Sequence, residues 1–300
     1  IYCENKNNDK NFQLINIPPS KSETNRVLLI YSLMNKIILI KNCLVSEDTI
    51  IMVNALKILG VKCEINYYND YYFNILIKGC NGEFPVKKCT LYLGNSGTTC
   101  RFLIPILAVQ KGDINYNIKC DKRMELRPMK DLFDCIKKFG ANIKYEKKEQ
   151  YLPIVIKNKF NVTIEKEILV DSTKSSQFVT GLIILVYVLL KKDWKLNLGE
   201  NPVSFNFVKL TIKILKKIGF FIEYILNNNK IIIKNIKYEE NNNEEYTISP
   251  DCTSASYLII HSIIKKKNIF IPNLNNNSLQ GDIKYCIDEL RKIGCKIENE

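Results

Sequence analysis

Residues 214–224 read ILKKIGFFIEY, and the phrase returns as ALKILGVKCEI at 55–65, CIKKFGANIKY at 135–145 and ELRKIGCKIEN at 289–299. Each copy closes a basic amphipathic stretch with a glycine and then opens a strand-like run. Glycine at that place suits the left-handed residue that ends a helix before the chain turns into a strand. The glycines are Gly60, Gly140, Gly219 and Gly294, spaced by 80, 79 and 75 residues.

Working outward, a second feature keeps the same period. A small polar segment runs into an apolar helix at SKSETNRVLLIYSLM (20–34), GNSGTTCRFLIPILAV (94–109), DSTKSSQFVTGLIILV (171–186) and DCTSASYLIIHSII (251–264). Between the helices lie β-branched runs such as IILIKN (37–42), INYNIK (114–119) and NIFIPN (268–273), which read as strands. One unit is strand, helix, strand, helix, then two strands. A period of 75–80 residues is too long for common solenoids and predicts compact units packed around pseudo-symmetry axes, in an α/β (α+β) fold. The polar EENNNEE at 239–245 marks a boundary, with three units before it and one after.

Four of the five arginines, Arg26, Arg101, Arg123 and Arg127, sit in the short motifs SKSETNR, GNSGTTCR and RMELRP, while lysine supplies 39 of the 44 basic residues. A chain that otherwise writes lysine keeps arginine where a planar, two-pronged donor is needed, for phosphate or carboxylate. The net charge of +13 comes mostly from lysines scattered among Asn, Ile and Tyr, which reads as solvated faces rather than a surface for nucleic acid or anionic membrane. At 300 residues and 46% hydrophobic the chain can bury a substantial core. Eleven cysteines without a C-x-x-C pair read as reduced thiols of an intracellular protein, cytoplasmic with a plastid as the alternative. The opening IYCENKNNDK lacks the apolar core of a signal peptide. The apolar run at 178–190 falls short of the roughly 20 residues that span a bilayer, so it reads as a buried helix. No metal cluster or nucleotide-binding loop is legible, so no cofactor is implied.

Ser, Thr and Gly at a helix start leave backbone N–H groups pointing outward, where the helix dipole favours an anion. Such a residue is most often a cap and nothing more. Three of these starts also carry Lys21 with Arg26, Arg101, and Lys174 with Gln177. Gathered at one cleft, they would form a basic pocket for more than one anion.

SKSETNR, LGNSGTTCR, RMELRP, DSTKSSQF and NSLQGD, in that order over nearly the whole chain, resemble the 5-enolpyruvylshikimate-3-phosphate (EPSP) synthase family. The resemblance implies six βαβαββ units in two domains of three, of which about four are present. Residues 20–240 would be a complete domain, and 1–19 with 241–300 part of the second. It implies transfer of the enolpyruvyl group of phosphoenolpyruvate to the 5-hydroxyl of shikimate 3-phosphate with release of phosphate. By resemblance, Lys21 touches both substrates, Ser22 and Arg26 hold shikimate 3-phosphate, Ser175 and Ser176 bind its phosphate, and Ser204 lies nearby. Gln177 sits between the two substrates. Gly97 and Arg123 hold phosphoenolpyruvate, and Asn95 and Arg101 line or brace that pocket. The remaining candidates have plainer readings: Arg127 a structural ion pair, Asp251 and Asp282 helix caps or inter-unit braces, His261 a packed or surface side chain, and Cys100 and Cys252 without a catalytic role.

Two departures from the family stand out. Ser204-Phe205-Asn206-Phe207 replaces Ser-x-Pro-Tyr, so a tyrosine hydroxyl is missing. Phe102 follows Arg101 where bacterial and plant members usually carry proline; this resembles fungal members, whose enzyme shares a pentafunctional polypeptide with other shikimate-pathway domains. About 150 residues expected from the family, holding its acid/base carboxylates, are not among these 300, so the chain reads as a fragment with half a cleft and negligible turnover of its own. Other readings are a non-catalytic shikimate-phosphate half-site binder, a relative of UDP-N-acetylglucosamine enolpyruvyl transferase, and an RNA-binding repeat fold. Lys21-Ser22 stands where the second typically has Lys-Asn, and no aromatic stacking platform supports the third.

Overall fold

The computed structural model describes residues 2–4, 12–158, 167–189, 194–227, 230–239, 243–274, 279–280 and 282–298. Two N-terminal strands, β1 (Tyr2–Glu4) and β2 (Gln13–Leu14), precede a first unit of α1 (Lys21–Leu33), β3 (Ile37–Leu44), α2 (Glu47–Ile58), β4 (Lys62–Tyr67) and β5 (Tyr72–Lys78). The second unit runs β6 (Lys88–Tyr92), α3 (Gly97–Ala108), β7 (Ile114–Lys119), the short turn α4 (Lys122–Glu125), α5 (Lys130–Lys138), β8 (Asn142–Tyr145) and β9 (Ile154–Asn158). The third is β10 (Glu167–Leu169), α6 (Ser176–Ile183) continuing as a π-helical stretch Ile184–Leu189, β11 (Lys195–Asn197), α7 (Phe205–Ile218), β12 (Phe220–Asn227) and β13 (Lys230–Tyr238). Then follow β14 (Glu245–Thr247), α8 (Cys252–Ile264), β15 (Ile269–Phe270), α9 (Asp282–Lys292) and β16 (Lys296–Glu298). The sequence motifs NSLQGD and EENNNEE lie partly outside the described residues.

Every glycine of the repeated phrase does what its position asks. Gly60, Gly140, Gly219 and Gly294 have φ of 88°, 81°, 112° and 93°, the left-handed turn that releases α2, α5, α7 and α9 into the next strand. Those helices carry lysine in their last turn, for example Lys137 and Lys138 on α5 and Lys216 and Lys217 on α7, and one face of each lies in solvent. The inner helices are different. α3 buries every residue it has, because a helix apolar on nearly all sides must be covered on all sides, and α1 is covered from Glu23 to Leu33, its polar first turns included. α1 packs on α3, and α3 on α6. Pro105 sits inside α3 and has no N–H for the carbonyl of Arg101 four residues back. There α6 comes close: a Cβ on Gly181 would lie 2.3 Å from that carbonyl oxygen.

The described strands form four sheets of one design: an outer strand parallel to its neighbour, followed by two antiparallel pairings. Alternating burial along β3 and β7 leaves one face of their sheets on the core and the other in solvent. Units two and three are contiguous in sequence, as expected. The other two exchange strands. β14, beyond the polar boundary, pairs in parallel with β3 of the first unit, while β2 and β1 complete the last sheet, β16-β1-β15-β2. The period shows the order of elements along the chain; strands of two or three residues carry too little pattern to fix their partner.

The exchange makes the chain cross twice between two apolar cores. The larger runs from Val27 to Ile248, and the smaller joins Ile17 to Cys252, Ile259, Ile269, Ile283, Ile287 and Ile297. At the crossing Pro19 and Pro250 form an antiparallel bridge. It is flanked by hydrogen bonds from Ser20 N–H to the Ser249 carbonyl and from Asp251 N–H to the Pro18 carbonyl, both 2.8 Å.

Candidate active site

The starts of α1, α3, α6, α7 and α8, and that of α2 through Asp48, face one open cleft of about 720 Å³. Serine explains the local geometry of α1, α3 and α6. Ser20, Ser96 and Ser175 are N-caps whose hydroxyl oxygens accept from the N–H groups of Glu23, Thr99 and Gln177, leaving the remaining first-turn donors for a ligand. Ser204 is different. It opens α7 in the left-handed region (φ 52°, ψ 42°) with no side-chain cap bond, a conformation that costs a β-carbon residue roughly 1–2 kcal/mol and that tends to gather at binding sites. Ser22, Ser176 and Ser204 line the cleft.

Charge in the cleft is strongly one-sided: Lys21, Arg26, Arg101, Arg127 and Lys174 face Asp48 and Asp251. Lys21 is bonded to Asp48 at 2.8 Å, and Lys174 to Asp131 at 3.1 Å. Among the described residues, no carboxylate lies within 4 Å of the three arginines. Arg26 is 2% exposed and sits 5.0 Å over the Phe102 ring. Its Nε donates to Thr211 Oγ1 (2.9 Å), Nη1 to the Ser22 carbonyl (2.7 Å), and Nη2 to Thr180 Oγ1 and the Phe207 carbonyl (3.3 Å each). Burial lowers its pKa to about 9, which still leaves it cationic at neutral pH. Arg101, 5% exposed, donates through Nη1 to Gln177 Oε1 at 2.5 Å and lies 5.3 Å over Phe178. Its Nε is buried without a hydrogen-bond partner among the described residues. Burial, and then the charge of Arg127, lower its pKa to about 10.

The guanidiniums of Arg101 and Arg127 converge on Gly97. A Cβ there would stand 2.6 Å from Arg127 Nη1 and 2.9 Å from Arg101 Nη1. Asn95, which lines the same cleft, buries its Oδ1 without a hydrogen-bond partner among the described residues. Two like charges, an orphaned donor and a bare backbone in one corner favour a small dianion.

Of the residues expected from sequence, Lys21, Ser22, Arg26, Asn95, Gly97, Arg101, Ser175, Ser176, Gln177 and Ser204 all line this cleft. Arg123 does not; it lies on α4 and is exposed. Arg127, read from sequence as a structural ion pair, has no carboxylate partner among the described residues. It takes the place at Gly97, with Nη1 3.8 Å from Met124 Sδ. Asp48 was not anticipated, because an acid in a helix's first turn reads as a dipole partner. Asp251 caps α8 through Ser254 N–H (2.9 Å), as expected. His261 is on an exposed face of α8, and burial pushes the Cys100 thiol far above its usual range. Among the described residues, no group of three or more His, Cys, Asp or Glu could hold a metal ion. No described helix is long and apolar enough to cross a membrane.

The family model for EPSP synthase (3-phosphoshikimate 1-carboxyvinyltransferase) matches residues 10–300. The chain belongs to the EPSP synthase family. The 3-phosphoshikimate 1-carboxyvinyltransferase of Buchnera aphidicola subsp. Baizongia pistaciae is 35% identical over 284 residues, covering 94% of this chain and 64% of that protein. The pentafunctional AROM polypeptide of Komagataella phaffii is 31% identical over 287 residues, 94% of this chain and 18% of the polypeptide. An EPSP synthase structure from Acinetobacter baumannii superposes with a TM-score of 0.73 at 18% identity, covering 98% of this chain and 62% of that one; at that identity the likeness establishes the fold. The chain thus spans 64% of the length of the Buchnera relative. EPSP synthase family membership accounts for the mixed α/β architecture.

Proposed function

We propose that this chain builds the shikimate 3-phosphate site, and one wall of the phosphoenolpyruvate site, of an enzyme that transfers enolpyruvyl to the 5-hydroxyl of shikimate 3-phosphate and releases phosphate. The observation that carries the reading is the meeting, in one cleft, of three serine-capped helix starts with three arginines that have no carboxylate partner among the described residues. Ser175, Ser176 and Lys174, with the N–H groups of α6, suit the 3-phosphate. Arg101, Arg127 and the backbone at Gly97 suit the phosphate of phosphoenolpyruvate, and Gln177, held by Arg101, lies between. Lys21 is placed to exchange Asp48 for a ligand anion. Such fixed donors stabilise the negative charge of both substrates without reorganising.

Calorimetric titration of the 300-residue chain with shikimate 3-phosphate tests this. Saturable one-to-one binding that weakens with salt is expected; no binding by a chain whose circular dichroism shows it folded would sink the proposal. Tighter binding of generic RNA than of the sugar phosphate would move the reading to nucleic acid.

Two substitutions probe the halves separately. Phe207, at the cleft wall, stands where the family pattern places a tyrosine. Phe207→Tyr is expected to tighten shikimate 3-phosphate by about 1 kcal/mol, or about fivefold, the net value of one hydrogen bond. An unchanged affinity would mean that the ring does not reach the sugar. Gly97→Ala pushes a methyl into the two guanidiniums. It should weaken phosphoenolpyruvate by about tenfold or more, as misplaced charge-assisted bonds do, and leave shikimate 3-phosphate unaffected. Equal loss of both ligands would indicate distortion of the whole cleft.

A further inference from the structure

Ser20 and Glu23 have the spacing of a capping box, in which the glutamate turns back to accept from the cap residue's own N–H. Here it does not. Ser20 N–H donates to the Ser249 carbonyl (2.8 Å), and the Glu23 carboxylate crosses to the other chain segment. It accepts from Ser249 N–H (3.1 Å), from the Tyr246 hydroxyl (2.8 Å) and, at 3.5 Å, from the Ser249 hydroxyl. The half-box of α1 is thus completed by a residue more than two hundred positions away.

Its surroundings make the choice an expensive one. Glu23 is 0% exposed, and burial raises its pKa against the opposing effects of the Tyr246 hydroxyl, Lys217 and Ser249. Lys217 stands near, its Nζ 4.0 Å from the Tyr246 ring centroid, and Tyr31 meets the same ring edge-on at 5.9 Å. An apolar side chain would pack between these rings with no carboxylate to desolvate. What the carboxylate adds is direction. It fixes the backbone of Ser249, and two residues later Asp251 caps α8, whose first turn brings Thr253 and Ser254 to the cleft.

We infer that Glu23 is a positioning residue: it pins the second crossing segment to the start of α1 and so sets where the first turn of α8 faces the substrates. Its position beside Ser22 and Lys21 joins both sides of the cleft in one hydrogen-bonded unit. The inference goes beyond the proposed function and rests on it only for the ligand readout below.

Residue-resolved hydrogen exchange on Glu23→Ala, Glu23→Gln and Tyr246→Phe separates this from a general stabilising role. Glu23→Ala should speed exchange of the Ser249 and Asp251 amides by about tenfold or more, the value of one or two lost charge-assisted bonds, with α5 and α7 amides unchanged. Glu23→Gln should restore protection, since its carbonyl can take Ser249 N–H and its amide can face the Tyr246 oxygen. Tyr246→Phe, which removes one bond and keeps the packing, should give a smaller rise at the same amides and keeps the test open if the alanine variant fails to fold. Uniform acceleration over the whole chain, or no change at Ser249 in the alanine and phenylalanine variants, overturns the inference; so does a glutamine variant that behaves like alanine. Shikimate 3-phosphate affinity should follow the same order. If the unsubstituted chain binds no ligand, the functional reading fails while the exchange pattern still decides the role of Glu23.

Discussion

Arg127→Ala is expected to weaken phosphoenolpyruvate binding, in the presence of saturating shikimate 3-phosphate, by about a hundredfold, while Arg123→Ala changes it by about twofold or less. The contrast follows from geometry. The Arg127 guanidinium lies at Gly97, next to Arg101, with no carboxylate of the described residues within 4 Å. A bidentate contact from it to phosphate would be worth roughly two charge-assisted hydrogen bonds of about 1.5 kcal/mol or more each. Arg123 lies in solvent, where a substitution usually stays within about 0.5 kcal/mol. Arg127→Lys should recover only part of the loss, because a point charge cannot reproduce the fork. Competition titrations on the three variants check this. The reverse ranking, with Arg123 indispensable and Arg127 dispensable, would return the site to the sequence expectation and remove the convergence on Gly97 from the functional argument.

Arg26→Ala should be the most destabilising change in the cleft, lowering unfolding free energy by about 3–5 kcal/mol, as loss of one partner from a buried charged network does. The guanidinium fills space between α1, α6 and α7, where it ties Ser22, Thr180, Thr211 and Phe207 together. Thr180 and Thr211 can still bond each other at 3.1 Å, and Thr211 already donates to the Phe207 carbonyl at 2.9 Å, so part of the network survives. The Ser22 carbonyl loses its donor and the Phe102 ring its cation. Arg26→Lys should fall between the two, keeping the charge but not the fan of donors. Urea unfolding measures this directly. A midpoint for Arg26→Ala within experimental scatter of the unsubstituted chain would show the network to be ornamental, and the placing of Arg26 in SKSETNR would then have to be explained by ligand contact alone.

The site was more legible in the sequence than the pairing of the sheets. Ser and Gly at helix starts, with arginine a few residues on, have a local physical meaning, and they placed Lys21, Ser22, Arg26, Gly97, Arg101, Ser175 and Gln177 on what proved to be one cleft wall. RMELRP was only half legible. It holds two arginines four residues apart, α4 ends between them, and which one turns inward depends on how that turn packs beneath Gly97. Asp48 gave no signal, and neither did Glu23, whose spacing from Ser20 describes a local cap that the fold uses across the crossing. The four-fold glycine period gave the order of helices and strands correctly. It could not show that β14 belongs with β3, or β1 and β2 with β15, because pairing between such short strands is decided by neighbours far along the chain.

The strand exchange also constrains how the chain can be made. Leu39 has Glu245 as its parallel neighbour, so while the ribosome is adding the second and third units, β3 presents an unpaired edge, the kind of surface that recruits stray strands. The N-terminal residues that will close the last sheet must likewise wait, with Gln13 unmatched until Ile269 has emerged. Contacts this distant in sequence are slow to form. Of the units described, the one made earliest is therefore among the last to be finished, and a nascent chain stalled before Glu245 would hold a β3 sheet lacking its outer strand.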